Sequence, residues 1–144
     1  MQYPTLYMHE WALAESIILT VLNESKKKKL KEINEINISI GELQQIEIDI
    51  FDFAIKEIIK NYNNKLTNVK INIEIDESTL KCKICKNIWK FSDISNDLNN
   101  EESEAIHFIP EVAFVHSRCT RCKSPDFEII SGRGVSITSI KGKR

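Results

Sequence analysis

The sequence predicts an α+β protein: two helices on a three-stranded sheet, interrupted before the last strand by an inserted segment of different character. Three observations carry this. Isoleucine-rich stretches near residues 36–40, 69–76 and 135–140 alternate apolar and polar residues with period two, as half-buried strands do. Two other stretches repeat their apolar residues every three and four positions, as amphipathic helices do. Residues 79–130 show neither period; they carry all the cysteines, Trp89 and long polar tracts.

Taken in order, Trp11, Ala14, Ile17, Ile18, Val21 and Leu22 form one apolar stripe, which predicts a helix from about Glu10 to Asn23 with Trp11 in the core. Lys26–Lys29 follow it as cations suited to a helix C-terminus and a solvated face, rather than to nucleic acid. Ile36, Ile38 and Ile40 alternate with Asn37 and Ser39 in the first strand. Phe51, Ala54, Ile55, Ile58, Ile59 and Tyr62 predict a second helix over 49–62, broken by Asn61, Asn63 and Asn64. Val69, Ile71, Ile73 and Ile75 make one face of the second strand. In the insert, residues 95–104 read as a solvated loop. Gly132-Arg133-Gly134 supplies a turn, and residues 135–140 form a third strand that returns to the sheet. The expected division is therefore residues 1–78 and 131–144 as one domain and residues 79–130 as the other.

Composition narrows the function classes. A chain of 144 residues with 42% apolar and 28% charged residues is ordinary for a globular protein. Its net charge of −1 lacks the basic footprint of a nucleic-acid binder. No apolar run reaches the roughly 20 residues that cross a bilayer, and the N-terminus has no signal-peptide pattern. A cytoplasmic protein, bound neither to membrane nor to nucleic acid, is expected.

Cys82 and Cys85 form one C-x2-C pair, and Cys119 and Cys122 a second. Two-residue spacing lets a tight turn aim two sulfurs and several backbone N–H groups at one ion, and four thiolates close a tetrahedral zinc site. Residues 86–118 intervene, more than the usual spacer, so an insert must loop between the knuckles. A closed site of four sulfurs leaves no open coordination position, so this zinc is structural, and its binding energy becomes folding energy for a thin core. Two rivals share the pattern. A zinc-ribbon adaptor would ignore other metals, and a thiol redox protein would need its C-x-x-C to open a helix after a strand, a context Cys82 lacks.

With MHEWALAESI from Met8, the two cysteine pairs and FEIISGRGVSITSI near the end, the chain resembles the HypA family of nickel-incorporation metallochaperones over nearly its whole length. The resemblance implies a nickel-binding domain, an inserted zinc domain, delivery of Ni(II) to the [NiFe]-hydrogenase large-subunit precursor, no catalysis, and a HypB-type nucleotide-hydrolysing partner. A homodimer is compatible with it.

The same resemblance singles out His9. Ni(II) with nitrogen ligands favours square-planar geometry, and a histidine offers its imidazole together with its own amide nitrogen. The amide of Glu10 extends the chelate, and its carboxylate can support the site or touch a partner. In the family the methionine of the MHE motif is normally the first residue and its amine can join the ligands; here MQYPTLY precedes Met8. His107, between the knuckles, is the further candidate if its loop folds over the helix start. His116, just before the second knuckle, reads as structural or surface.

Overall fold

The computed structural model of the protein describes residues 8–66, 68–95, 99–102, 105 and 117–144. The leader 1–7 and the candidates His107 and His116 lie outside the described residues. The described residues fall into two compact units, one within 1–38, 46–74 and 136–144 and the other within 39–45 and 75–135.

In the first unit, helix α1 spans Met8–Lys27 and buries Ala14, Ile17, Ile18 and Val21. It outruns its expected end at Asn23 because the lysine run is itself the terminator. Lys29 adopts a left-handed φ of 58°, its N–H donates to the Lys26 carbonyl, and the Leu30 N–H donates to the Ser25 carbonyl at 2.9 Å. That pair of bonds is a Schellman closure. Trp11 is only half-buried; its ring stands edge-on to Phe53 at 6.1 Å, and Phe53 is itself 53% exposed. The expected core tryptophan thus sits at the rim of the helix pair.

Strand β1 spans Glu32–Gly41 and helix α2 spans Ile48–Ile59, burying Phe51, Ala54 and Ile55. α1 packs against α2. Ile36, Ile38 and Ile40 are buried as the alternation predicts, while Ile33 extends the buried face after a phase change across Asn34 and Glu35. The asparagines do not stop the second helical segment. A 3-10 turn over Lys60–Tyr62 leads into a short helix α3, Asn63–Leu66, which buries Leu66, and the left-handed residue is Asn68 with φ 57°. Asparagine tolerates that conformation better than most residues.

Strands β2 (Lys70–Asp76) and β6 (Val135–Lys143) flank β1 in the order β2-β1-β6, so the last strand does return to the first sheet. The Gly41 N–H donates to the Gly134 carbonyl and the Lys31 N–H to that of Lys143, which makes β6 antiparallel to β1. Asn72 donates to Asn37, and Asn37 donates to Ser139 on β6, both at 2.8 Å, so the polar face is tied across all three strands. The β2 isoleucines are less covered than expected of a one-faced strand: Ile71 and Ile73 are half-buried and Ile75 is 49% exposed. Among the described residues β2 is an edge strand, with a neighbour on one side only.

The second unit holds a separate sheet, β4-β3-β5, made from β3 (Thr79–Cys82), β4 (Ile88–Lys90) and β5 (Phe127–Ser131), with β3 antiparallel to both neighbours. A one-turn helix α4, Ser92–Ser95, follows β4. Leu80, Cys82, Trp89, Cys119 and Phe127 form its core, with Trp89 and Phe127 edge-to-face at 5.3 Å and the Trp89 indole donating to buried Ser117. Within the tract expected to be a plain loop, Asn99 and Glu102 exchange backbone-to-side-chain hydrogen bonds of 3.0 and 2.8 Å, a capping box that starts a helical turn.

The GRG turn has a steric cause. Gly132 has φ +83°, and an added Cβ there would collide with the Ser78 backbone; a Cβ on Gly41 would collide with the Gly132 carbonyl. Three segments of this unit meet at that point. Leu43 and Gly134 N–H groups donate to the Gly132 carbonyl and the Gln44 side chain, and Gly132 N–H donates to Asp76. Among the described residues, no helix is long and apolar enough to cross a membrane.

Candidate metal centres

Strand β3 ends at Cys82, and a tight turn follows it. The N–H groups of Ile84 and Cys85 both donate to the Cys82 sulfur at 3.4 Å. The Lys86 N–H then closes on the Cys82 carbonyl, with Lys86 at φ 66°. The second pair repeats this residue for residue. Arg121 and Cys122 N–H groups donate to the Cys119 sulfur at 3.3 and 3.4 Å, Lys123 closes on the Cys119 carbonyl, and Lys123 has φ 64°. The likeness between CKICKN and CTRCKS is therefore the sequence trace of two superposable knuckles.

The knuckles face each other. The sulfurs of Cys82 and Cys122 lie 3.5 Å apart, as do those of Cys85 and Cys119, and all four fall within 4.8 Å of one another. A tetrahedron with metal–sulfur bonds of about 2.3 Å has edges of about 3.8 Å, inside that range. Cys82 and Cys119 are buried, Cys85 is half-buried and Cys122 is exposed. The four sulfurs thus fit a tetrahedral thiophilic ion, with no disulfide among them.

The electrostatics are uneven. The Cys85 amide, ahead of opposing burial, pulls the Cys82 thiol down. Burial pushes the Cys119 thiol up, but the amides of Cys122 and Arg121, the Asn87 side chain and Cys85 outweigh it and bring it down to about 6. The Ser124 amide pulls Cys122 down, yet burial and the crowding of Cys82, Cys85 and Cys119 push it up to about 12. Four adjacent thiolates repel one another, so a cation is the natural counterion for full ionisation.

Asn87 is the residue that spacing alone did not reveal. Its side-chain amide donates to the Cys119 sulfur at 3.6 Å and to the Thr120 hydroxyl at 2.9 Å, and its backbone carbonyl accepts from the Cys82 N–H. It fastens one knuckle to the other. The hint in the sequence was the polar residue two positions after the second cysteine of each pair, Asn87 and Ser124.

The second expected site is built differently. Met8 opens α1, and His9 and Glu10 follow in its first turn, where the backbone N–H groups lie ahead of the i to i−4 ladder. His9 is half-buried, so its side chain is not sealed in the core, whereas Glu10 is only 3% exposed. One Glu10 carboxylate oxygen accepts the Glu47 N–H at 3.2 Å; the other is buried without a partner among the described residues. His107 lies outside the described residues.

These two constellations, in this order on this fold, can be set beside known proteins. The family model for hydrogenase/urease nickel incorporation metallochaperones, HypA, matches residues 8–142, starting at the Met8-His9-Glu10 motif. The chain belongs to the HypA family. Hydrogenase maturation factor HypA of Pyrococcus horikoshii is 39% identical over 134 residues, 93% of this chain and 95% of its own length. The HypA of Pyrococcus furiosus is 38% identical over 133 residues, 92% of this chain and 94% of its own. The solution structure of the Ni metallochaperone HypA from Helicobacter pylori shares the fold with a TM-score of 0.58 at 19% identity, covering 93% of this chain and 97% of that one. Membership makes this a HypA nickel metallochaperone-family chain of hydrogenase maturation with a four-cysteine candidate metal site.

Proposed function

We propose that this HypA-family chain captures Ni(II) at the start of α1 and delivers it to the [NiFe]-hydrogenase large-subunit precursor, while a Zn(II) ion held by Cys82, Cys85, Cys119 and Cys122 keeps the second unit folded. His9 supplies its imidazole and, with Glu10, consecutive main-chain nitrogens; Met8 and His107 are the further candidate ligands. The nickel is cargo and the zinc is resident. The protein performs no catalysis of its own, acts in the cytoplasm, and works with a HypB-type nucleotide-hydrolysing partner.

The observation that carries this reading is the placement of His9. It stands in the first turn of α1, half-buried, at the first residues matched by the nickel-incorporation family. An imidazole at a helix start beside main-chain nitrogens can exchange ligands stepwise, which transfer demands. A closed sulfur cage cannot do so without dismantling its own core, since Cys82 and Cys119 belong to it.

Nickel titration of the zinc-loaded protein and of His9→Ala tests this. The substitution is expected to abolish tight nickel binding and leave one zinc per chain. Unchanged nickel affinity in His9→Ala would contradict the reading. Indifference of the unaltered protein to nickel would favour the zinc-ribbon adaptor, and reactive thiols in zinc-loaded protein would favour a redox role.

A further inference from the structure

We propose that the Glu10 carboxylate is a positioning group for nickel capture: it fastens the His9–Glu10 main chain to the first turn of α2 and does not itself bind the ion. This rests on the reading that His9 holds nickel.

Exposure separates the neighbours. His9 is half-buried, but Glu10 is 3% exposed, and its bonded oxygen is committed to the Glu47 N–H at 3.2 Å. A ligand for an ion that must pass to another protein has to reach it, and this carboxylate could do so only by abandoning that bond and leaving the interior.

The bond is also needed at its other end. Glu47 is the N-cap of α2, with φ −76° and ψ 102°, and its own side chain makes no capping hydrogen bond. In a capping box the N-cap N–H is met by an acidic or amide side chain three residues on; that residue here is Ile50, and the Glu47 N–H is met instead by a carboxylate from α1, 37 positions upstream. The other oxygen of the carboxylate has no partner among the described residues. Trp11 and Phe53 join the same two helices by their rings one residue further on.

The consequence for nickel is geometric. Chelation by an imidazole and successive amide nitrogens needs those atoms held in one plane, and a supporting group of this kind is worth about 10- to 100-fold in metal affinity.

Four variants, each titrated with nickel in zinc-loaded form, test this. Glu10→Gln keeps an oxygen acceptor for the Glu47 N–H, and Glu10→Ala removes it. Glu47→Pro deletes the donor alone, because φ −76° is already within proline's range, and Glu47→Ala keeps the N–H as a control. Glu10→Ala and Glu47→Pro should each weaken nickel binding about 10- to 100-fold, while Glu10→Gln and Glu47→Ala bind like the unaltered protein. Exchange of the Glu47 amide proton should quicken in Glu10→Ala and stay slow in Glu10→Gln. If Glu10→Gln were as weak as Glu10→Ala, the carboxylate would be acting through its charge or as a ligand. If Glu47→Pro bound nickel normally, the link to α2 would be irrelevant. Either result overturns the proposal and leaves the His9 assignment standing; only unchanged binding in His9→Ala would remove that.

Discussion

The two candidate metal centres differ in almost every physical respect. The cysteine centre is made twice over from one pattern: each first cysteine of a pair takes two N–H bonds, each turn closes through a left-handed lysine, and Asn87 ties the halves together. The centre at the start of α1 has one half-buried histidine and a main chain held from behind by Glu10. A cage built into a core keeps its ion. A half-buried histidine at a helix start is, in the function proposed above, the place where an ion is held and given up.

The largest expected effect follows from the thin core of the second unit, where Leu80, Trp89 and Phe127 share their cluster with Cys82 and Cys119. Structural zinc is worth about 10–16 kcal/mol of apparent binding energy in small metal-dependent folds. Removing zinc with a strong chelator should unpack Trp89 and leave α1 and α2 folded. In a Trp11→Phe background the Trp89 emission should shift red on chelation while most helical circular dichroism survives. Loss of both signals together would mean that the units do not depend on the ion separately.

Asn87→Ala sharpens the comparison at the next level. Its side chain donates to the Cys119 sulfur and helps hold that thiol at about 6. Without it the thiol titrates higher, so protons compete better with the metal. Zinc affinity should fall about 10- to 100-fold, and the deficit should be greater at pH 6 than at pH 8. Competition against a chromophoric chelator at the two pH values checks this; a deficit independent of pH would remove the thiolate from the explanation.

Much of this architecture is legible in residue order, because burial imposes a period. Ile36, Ile38 and Ile40 on β1 and the stripe from Ala14 to Val21 on α1 lie where alternation and three-to-four spacing put them. The strands of the insert escaped, since β3 and β4 have 4 and 3 residues and cannot display a repeat. The second helical segment ran on past its asparagines because Leu66 supplies a buried anchor that the local breakers could not reveal. At the sites, the knuckles were readable because their ligands are two residues apart. The Glu10–Glu47 bond was not, because it joins positions that only the packing of α1 on α2 brings together.

The smallest expected effect lies on the polar face of the first sheet. The Asn37 amide and then Lys141 hold Glu35 below its ordinary value of 4.5. A depressed carboxyl stabilises the fold above its unfolded value and loses that contribution as pH falls through the folded one. Glu35→Gln should therefore lower the melting temperature slightly at pH 7 and not at pH 3. An equal difference at both pH values would point to packing instead of charge.

A chelator challenge of protein loaded with both metals, with nickel and zinc followed separately over time, distinguishes a transferable ion from a resident one. Nickel should leave quickly and completely while zinc stays bound and the Trp89 environment is unchanged. Release of zinc as fast as nickel, or retention of nickel after zinc has gone, would contradict it.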